Sequence, residues 1–292
     1  MNRSRTRRVF LDGPARSADP LRQRLARHPG TEVLVLEPDA SPSSRQALMA
    51  AADLTVVCRD DDAAVRTVRL ATGTGARILD LSAAHRTACG WIYGLPELAR
   101  PQRDRITRGH AVAQPDSRAA AATLLLRPLN AVGLLPSSAS CATEAVSAGG
   151  ADVAREMVKW GRLPRRPECP AGRTATADEG VVHVTVHAPE PLRPGSLRDC
   201  LADVYRGQRY LRVAEEDGGP ADAPALTLSV RSAPDGAVRL TARMPATTDW
   251  ALDLAVRNVN LMLGLPEDLG VLDGTRPAGT RRATPPALHP SR

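Results

Sequence analysis

A serine and an arginine follow closely on a predicted strand end in residues 80–86, which read DLSAAHR. Ser82 comes directly after that strand, the crevice position at which ligands bind in open α/β sheets. Arg86 offers two parallel hydrogen-bond donors that match a carboxylate or a phosphate. The stretch therefore predicts an anion or nucleotide site. The alternative is that Arg86 only ties the loop to Asp80 or Glu97.

His85 lies in the same stretch, and histidine is a residue type that serves as an acid or base in catalysis. It could activate Cys89 as a nucleophile, and an unreactive thiol is the alternative. His183 and His187 lie four residues apart in a predicted strand, roughly 13 Å, so they share a face but cannot chelate one ion. We expect no metal site, because the five cysteines show no C-x-x-C spacing and no short-range pairing with histidine: Cys58, Cys89, Cys141, Cys169 and Cys200.

The elements that must position these residues alternate between strands and helices from Val9 onwards. Strands separated by helices of this length predict βαβ units, and hence a doubly wound, Rossmann-type parallel sheet in an α/β fold. The runs that carry this prediction are VFLD, LRQRLARH, EVLVLEP, SSRQALMAA, LTVVC, DDAAVRTVRLAT and ARILDL.

The later part of the chain has a different pattern. Residues 181–188 alternate as a half-buried strand, and 197–205 have the spacing of an amphipathic helix. The alternating runs ALTLSVRS and AVRLTARM flank Pro234-Asp235-Gly236 and predict a hairpin, so we expect an antiparallel α+β unit. The run DWALDLAVRNVNLMLGL predicts a helix buried on two sides. The predicted domains are 9–117 and 118–248, with helix 249–272 completing the first.

The formal charge of +7 resides at the two ends of the chain. Residues 1–8 and 276–292 carry four arginines each and no acid, which leaves 31 basic against 32 acidic side chains between them. We predict a basic tail at 1–8 and a disordered tail at 273–292. A neutral body with only seven aromatic residues argues against nucleic-acid binding. The sequence shows no signal peptide and no long apolar run, so we expect a cytoplasmic protein without a membrane segment.

Several motifs, in order, resemble those of the N-acetyl-γ-glutamyl-phosphate reductases, especially the shorter bacterial type. They are VFLDGPA, VVCRDDDAA, DLSAAHR followed by GWIYGLPEL, AVS at 145–147 and NVNLMLGL at 258–265, and they span most of residues 9–270. The resemblance implies a Rossmann-type NADP domain and a catalytic, dimer-forming α+β domain like that of semialdehyde dehydrogenases. It also implies a reaction: a cysteine thiolate attacks an acyl phosphate, phosphate leaves, and NADPH reduces the thioester to an aldehyde, with histidine as acid and base.

The family's nucleophile lies in an Asn-Pro-Gly-Cys-Tyr stretch that opens a helix. The matching stretch reads Gln114-Pro115-Asp116-Ser117-Arg118, so the resemblance places Ser117 at the cysteine position. A serine hydroxyl is a much weaker nucleophile without strong activation, and an oxygen ester accepts hydride less readily than a thioester. Asp116 adds a negative group where an acyl phosphate would approach. Alternatively, Asp116 and Ser117 simply cap the helix.

The family's histidine lies in a segment ending in Pro-Glu, and the counterpart here, residues 163–168, contains none. The family has a glycine-rich phosphate loop after the first strand. The counterpart in this chain is GPARSAD at 13–19, and only Gly13 matches a glycine of the family's loop. We expect Arg16 to place a side chain where backbone should meet the pyrophosphate, and Asp19 to repel it. After the second strand, Glu37 or Asp39 could bind a ribose hydroxyl of NAD, but no arginine stands there for the NADP phosphate.

The prediction is a homo-oligomeric family member that has lost its chemistry and acts by binding a partner or a retained ligand. The resemblance implies NADP as cofactor, with contacts at Gly13, Ser82 and Asn258 and substrate contacts at His85 and Arg86. One alternative is an active NAD(P)H-dependent reductase of an acyl phosphate that uses Ser117 or Cys89. Another is a protein that binds nucleic acid or an acidic partner through its arginine-rich tails.

Overall fold

A computed structural model of the protein describes seven segments of the chain. They are residues 6–36, 41–143, 150–168, 180–215, 225–233, 236–245 and 249–271. The predicted tail at 273–292 and the proposed ribose ligands Glu37 and Asp39 lie outside these segments. The described residues form two sheets, whose strands fall in separate parts of the sequence.

The first sheet is parallel throughout and has six strands in the order β2-β1-β3-β4-β6-β5. Its strands are β1 (Arg7–Asp12), β2 (Thr31–Leu34), β3 (Leu54–Val57), β4 (Ile78–Asp80), β5 (Ile92–Tyr93) and β6 (Ala111–Ala113). Its helices are α1 (Ala15–Ala26), α2 (Pro42–Ala51), α3 (Asp61–Ala71) and α4 (Gln102–Arg108), with a 3-10 helix at Pro96–Leu98. The predicted doubly wound α/β sheet is confirmed, and its strand order reverses between β1 and β3.

The first strand begins earlier than the sequence predicted. Arg7 and Arg8 were assigned to a basic tail, but both belong to β1 and pair with Thr31 and Glu32 of β2. The backbone N–H of Arg8 also donates to the Asp53 carboxylate at 2.8 Å. Long arginine side chains can reach solvent from a sheet, so their charge did not mark a disordered end.

The second sheet has five strands in the order β7-β8-β11-β10-β9. They are β7 (Ser140–Thr143), β8 (Val181–His187), β9 (Leu211–Val213), β10 (Leu226–Ser232) and β11 (Val238–Arg243). The predicted hairpin is confirmed, because β10 and β11 pair antiparallel, but β9 pairs parallel to β10. The three predicted strands β8, β10 and β11 thus pair antiparallel, and the edge strand β9, which the sequence did not predict, makes the sheet mixed.

Helices α5 (Ser117–Ala131), α6 (Gly150–Gly161) and α7 (Pro194–Val204) accompany the second sheet. Helix α5 is an almost continuous run of buried Ala and Leu that contacts α6, α7 and the strands β8 and β11. A helix that is apolar on all sides is buried on all sides. Its N-terminus is thereby held against α6.

Helix α8 (Trp250–Leu263) returns to the first sheet, where it contacts α1, α4 and β3. Its side chains are buried almost without interruption from Leu254 to Leu263, as predicted for a helix covered on two sides. The helix ends at Gly264, whose φ of 68° is the left-handed conformation that favours glycine at this position. Among the described helices, none has the length and apolar character needed to cross a bilayer.

Candidate functional site

The carboxyl ends of the parallel strands carry two groups of polar side chains. One surrounds the ends of β1 and β3, where the strand order reverses, and the other surrounds the ends of β4 and β6. Ligands of open α/β sheets bind at this edge because the loops and helix N-termini converge there.

The first group is centred on Asp12, whose side chain is fully buried at the end of β1. The Arg59 guanidinium donates to both carboxylate oxygens, at 2.8 and 2.9 Å, and Arg45 Nε donates at 3.1 Å. The Thr67 hydroxyl adds a bond of 2.8 Å. These four hydrogen bonds satisfy a carboxylate that could not otherwise be buried.

A cleft of about 670 Å³ lies next to Asp12, between the ends of β1, β2 and β3 and the start of α1. The charges of its described lining residues balance: Asp12, Asp19 and Asp60 against Arg22, Arg45 and Arg59. Arg22 pairs with Asp19 at 2.9 Å, and Asp60 caps α3. The lining cations are thus already paired within the chain.

The turn that opens α1 contains a glycine that packs closely and a proline. A side chain at Gly13 would place its Cβ 2.3 Å from the Cys58 carbonyl oxygen, so this glycine allows the turn to pack against β3. Pro14 occupies the N-cap of α1 and has no N–H to donate. Arg16 is exposed and does not line the cleft, so the prediction that it would fill the pyrophosphate crevice was wrong.

The second group begins with Asp80, which is fully buried at the end of β4. Its carboxylate accepts hydrogen bonds from the backbone N–H and the hydroxyl of Ser82, at 2.9 and 2.8 Å. It also lies 2.6 Å from His85 Nδ1, and the imidazole stacks on Trp91 with ring centroids 4.1 Å apart. An aspartate at Nδ1 fixes the ring and leaves Nε2 as the position for acid–base chemistry. Ser82 thus serves to hold Asp80.

Arg86 extends from this loop towards the N-terminus of α5. Its Nε donates to the Gln114 carbonyl at 3.0 Å, which fixes the guanidinium at the end of β6. Its Nη1 lies 3.4 Å from Glu156 Oε1 and 3.9 Å from Asp116 Oδ2. The alternative partners Asp80 and Glu97 bind His85 and Arg257, and no bond joins Arg86 to either of them among the described contacts.

Glu156 of α6 is the buried acid of this group, with a side chain only 1% exposed. It accepts hydrogen bonds from the Tyr93 hydroxyl at 2.8 Å and the Asp116 backbone N–H at 3.2 Å. Burial raises the pKa of the Glu156 carboxyl to about 7, and the charge of Arg86 opposes that rise. The group therefore titrates near neutral pH.

Ser117 is the first residue of α5 and lies at this same edge. Asp116 is the N-cap, and its carboxylate accepts from the backbone N–H groups of Arg118 and Ala119, at 2.8 and 3.2 Å. Within the described segments, no side chain forms a hydrogen bond with the Ser117 hydroxyl that could act as a general base. The predicted capping role of Asp116 is confirmed.

The other predicted residues lie apart from this group. Asn258 is fully buried in α8, where its Nδ2 donates to the Gly94 carbonyl and to Gln114 Oε1, both at 2.8 Å. Cys89 is exposed in the loop after β4. His183 contacts the Thr241 hydroxyl across the second sheet and His187 is exposed. In the described part of the chain, no group of three His, Cys, Asp or Glu side chains could hold a metal ion.

Solved structures with this architecture include aspartate semialdehyde dehydrogenases. The enzyme from Candida albicans, solved with NADP, superposes with a TM-score of 0.63 at 10% identity, over 90% of this chain and 99% of that one. Aspartate semialdehyde dehydrogenase II from Vibrio cholerae gives 0.60 at 13% identity, over 89% and 99%. At these identities the similarity establishes the fold: a Rossmann-type domain followed by a semialdehyde-dehydrogenase-like α+β domain.

Curated relatives identify the family. The N-acetyl-gamma-glutamyl-phosphate reductase of Brucella anthropi is 30% identical over 88% of this chain and 98% of its own length. The second such reductase of Pseudomonas putida is 31% identical over 88% and 96%. No family model matches the chain. The chain belongs to the N-acetyl-gamma-glutamyl-phosphate reductase family, as its motifs indicated.

Sequence reasoning missed Glu156 and the pair Arg45 and Arg59. Glu156 lies 40 residues after Asp116, in a helix for which the sequence analysis predicted no element. Its one signal was an acid among apolar residues, between Ala154 and Met157. The two arginines carry no local signal, because only the fold brings α2 and the end of β3 to Asp12.

Proposed function

We propose that this chain is a member of the reductase family that no longer reduces an acyl phosphate and acts instead by binding a ligand or partner. The observation that carries the proposal is the start of α5, where Ser117 directly follows the capping acid Asp116 and no described side chain bonds its hydroxyl as a general base. Asp116 caps the helix and Glu156 binds the Asp116 N–H.

The electrostatics of this helix start support the proposal. A helix N-terminus activates a nucleophile by stabilising negative charge through its free N–H groups. At α5 the N–H groups of Asp116, Arg118 and Ala119 already bind carboxylates of the chain itself. An attacking alkoxide and a departing phosphate would both add negative charge beside these acids. Both effects raise the barrier to acyl transfer.

The residues of the cleft at β1 do not fit a dinucleotide. A pyrophosphate needs free backbone donors or an unpaired cation at the helix start. Pro14 removes one donor, and Asp12 and Asp19 hold the lining arginines at 2.8 to 3.1 Å. We therefore expect weak or absent NADP binding in spite of the volume of the cleft.

A titration of NADPH fluorescence with the purified protein tests the proposal. We expect no stoichiometric binding, and none in the Ser117→Cys variant, because that change leaves the cleft and Asp116 as they are. Phosphate-dependent reduction of NADP with N-acetylglutamate semialdehyde, abolished by Ser117→Ala, would overturn the proposal. Ser196→Ala, a change of the same type on the exposed surface of α7, is the matched control.

One observation favours the second candidate, an active reductase with altered residues. The buried Asp80 holds His85 Nδ1 at 2.6 Å, so Nε2 is available as an acid or base in place of the family's histidine. This candidate requires stoichiometric binding of NADPH or NADH, so the same titration separates the two. His85→Gln should then remove activity without changing cofactor binding.

A further inference from the structure

Lys159 lies in the last turn of α6 and binds the loop that joins β4 to β5, residues 81–91. Its Nζ donates to the carbonyls of Thr87 and Ala88, at 2.9 and 3.3 Å. The same ammonium group lies 4.8 Å from the centroid of the Trp160 ring, where the π-electrons attract a cation. One charged group thus holds two consecutive carbonyls of this β4–β5 loop.

A second side chain of α6 extends this contact with the β4–β5 loop. Trp160 Nε1 donates to the Arg86 carbonyl at 2.8 Å, so three consecutive loop carbonyls take their donors from two adjacent residues of the helix. Inside the loop, the N–H of Ala88 donates to the His85 carbonyl at 3.1 Å. The turn that follows His85 is therefore held by α6 as well as by its own backbone.

Lys159 is also the only lysine among the 39 basic side chains of the chain. The other 38 are arginines, whose guanidinium groups stay protonated and do not act as nucleophiles. A lysine amine that loses its proton attacks acyl groups, and the Lys159 side chain is exposed to a reagent in solution. The chain therefore offers one side-chain amine for acylation, and this amine holds the β4–β5 loop.

We propose that Lys159 is a site of acylation by small acyl phosphates, and that its acylation releases the β4–β5 loop. The amine attacks the carbonyl carbon of the acyl phosphate. A C–N bond forms, the C–O bond to the phosphate breaks, and the phosphate leaves with the bonding electron pair and receives the proton of the amine through water. The product is a neutral amide with one N–H, whereas the ammonium group had three N–H donors and a charge. It can keep at most one of the two carbonyl bonds, and it loses the attraction to the Trp160 ring.

The expected consequence is a local loosening of the loop. Its first part keeps the bonds to the buried Asp80, which accepts from Ser82 and lies next to His85. Residues 86–88 lose at least one of their three bonds from α6. A hydrogen bond from a charged donor shifts a local equilibrium by about tenfold or more, and local opening exposes N–H groups to exchange with solvent. We therefore expect the N–H of Ala88 to exchange about tenfold faster after acylation.

Treatment of the full chain with acetyl phosphate, followed by trypsin digestion and mass spectrometry, tests the modification. Trypsin cleaves after arginine and after free lysine, so acetylated protein yields the intact peptide 156–162, EMVKWGR, and unmodified protein yields two shorter peptides. We expect the acetylated peptide to form at a rate comparable to that of a synthetic peptide of the same sequence. Protection of Lys159 in the folded protein, with ready acetylation of the synthetic peptide, would overturn the proposal. Reaction with acetyl-coenzyme A but not with acetyl phosphate would overturn the assignment of acyl phosphates as the donors.

Hydrogen exchange followed by mass spectrometry tests the release of the loop. Peptides from residues 81–91 should exchange about tenfold faster in the acetylated protein and in Lys159→Gln than in the untreated wild type. Lys159→Arg keeps the charge and cannot be acylated, so acetyl phosphate should leave its exchange unchanged, which controls for acetylation of other groups. Equal exchange of the loop in the wild type and Lys159→Gln would show that Lys159 does not hold it. Because neither measurement involves a cofactor or a reduction, the result is independent of the proposed loss of reductase activity.

Discussion

Three buried carboxyl groups at the carboxyl edge of the first sheet have three different sets of partners. Asp12 binds two arginines, Asp80 binds a histidine and a serine, and Glu156 binds a tyrosine and shares Arg86 with Asp116. Burial with incomplete pairing favours the protonated form of a carboxyl group, and burial raises the pKa of Glu156 to about 7. The first of these acids is thus part of the framework, and the third is free to titrate.

We expect Asp12→Asn to lower the free energy of unfolding by about 2–3 kcal/mol, because an amide cannot accept from both arginines and hydrogen bonds to a buried charge are lost. Urea denaturation followed by circular dichroism measures the change. Asp19→Asn breaks an exposed pair with Arg22 and should cost less than about 1 kcal/mol. Equal effects of the two changes would show that the hydrogen bonds of Asp12 contribute no more to the free energy of unfolding than an exposed ion pair does.

At the scale of single residues, the sequence was sufficient to locate a residue within an element where a family motif could be aligned with it. Pro115 anchored the match that placed Ser117 at a helix start, and the structure confirms that α5 begins there. The sequence did not predict a role for Glu156, because its hydrogen bonds and its pKa depend on the packing of α6 against Tyr93 and Arg86. A charge pattern along the chain contains no information about such contacts.

Helix α8 contacts the loops that follow β5 and β6, at the carboxyl ends of the strands of the first sheet. Asn258 Nδ2 bridges the Gly94 carbonyl after β5 and Gln114 after β6. A Cβ at position 94 would lie 2.7 Å from that nitrogen and 3.1 Å from the Ala113 carbonyl oxygen. Helix and strand ends can approach this closely only because residue 94 is glycine.

We expect Gly94→Ala to destabilise the protein by about 1–3 kcal/mol, as overpacking does when backbone has to shift. Thermal unfolding measures the loss. Gly195→Ala adds the same methyl group to α7 with nothing within 4 Å, so it should be neutral or slightly stabilising. If Gly94→Ala melts like the wild type, α8 can move away without cost and the bridge through Asn258 is dispensable.

The prediction of elements succeeded where periodicity was strong. The buried strand β3 and the helices α3 and α8 follow directly from their apolar spacing. The start of β1 and the edge strand β9 were not predicted, because Arg7 and Arg8 take their pairing from β2 and β9 takes its pairing from β10, and a local pattern does not reveal such partners.

The charge of the whole molecule resides mainly in its predicted tails. The structure shortens the predicted N-terminal tail, since Arg7 and Arg8 belong to β1. Without residues 1–5 and 276–292, the chain has 33 basic against 32 acidic side chains. The folded body is therefore expected to have little affinity for polyanions.

We expect a chain of residues 6–275 to melt at the same temperature as the full protein and to pass through a heparin column at low salt. The full chain should be retained there and elute as salt is raised, because its six additional arginines are screened. Salt-dependent retention of the shortened chain would contradict this expectation and would place a basic surface on the folded body.

The sequence alone determined the fold class, the family and the start of a helix at Ser117, because apolar periodicity and ordered motifs are local properties that a chain displays without being folded. Only the tertiary structure decided which charges meet. It joined Arg45 and Arg59 to Asp12, placed Arg16 outside the cleft and brought Glu156 to Arg86. The physical reason is that the pKa of a group and the pairing of a charge depend on distances and burial, which arise when separate elements pack together.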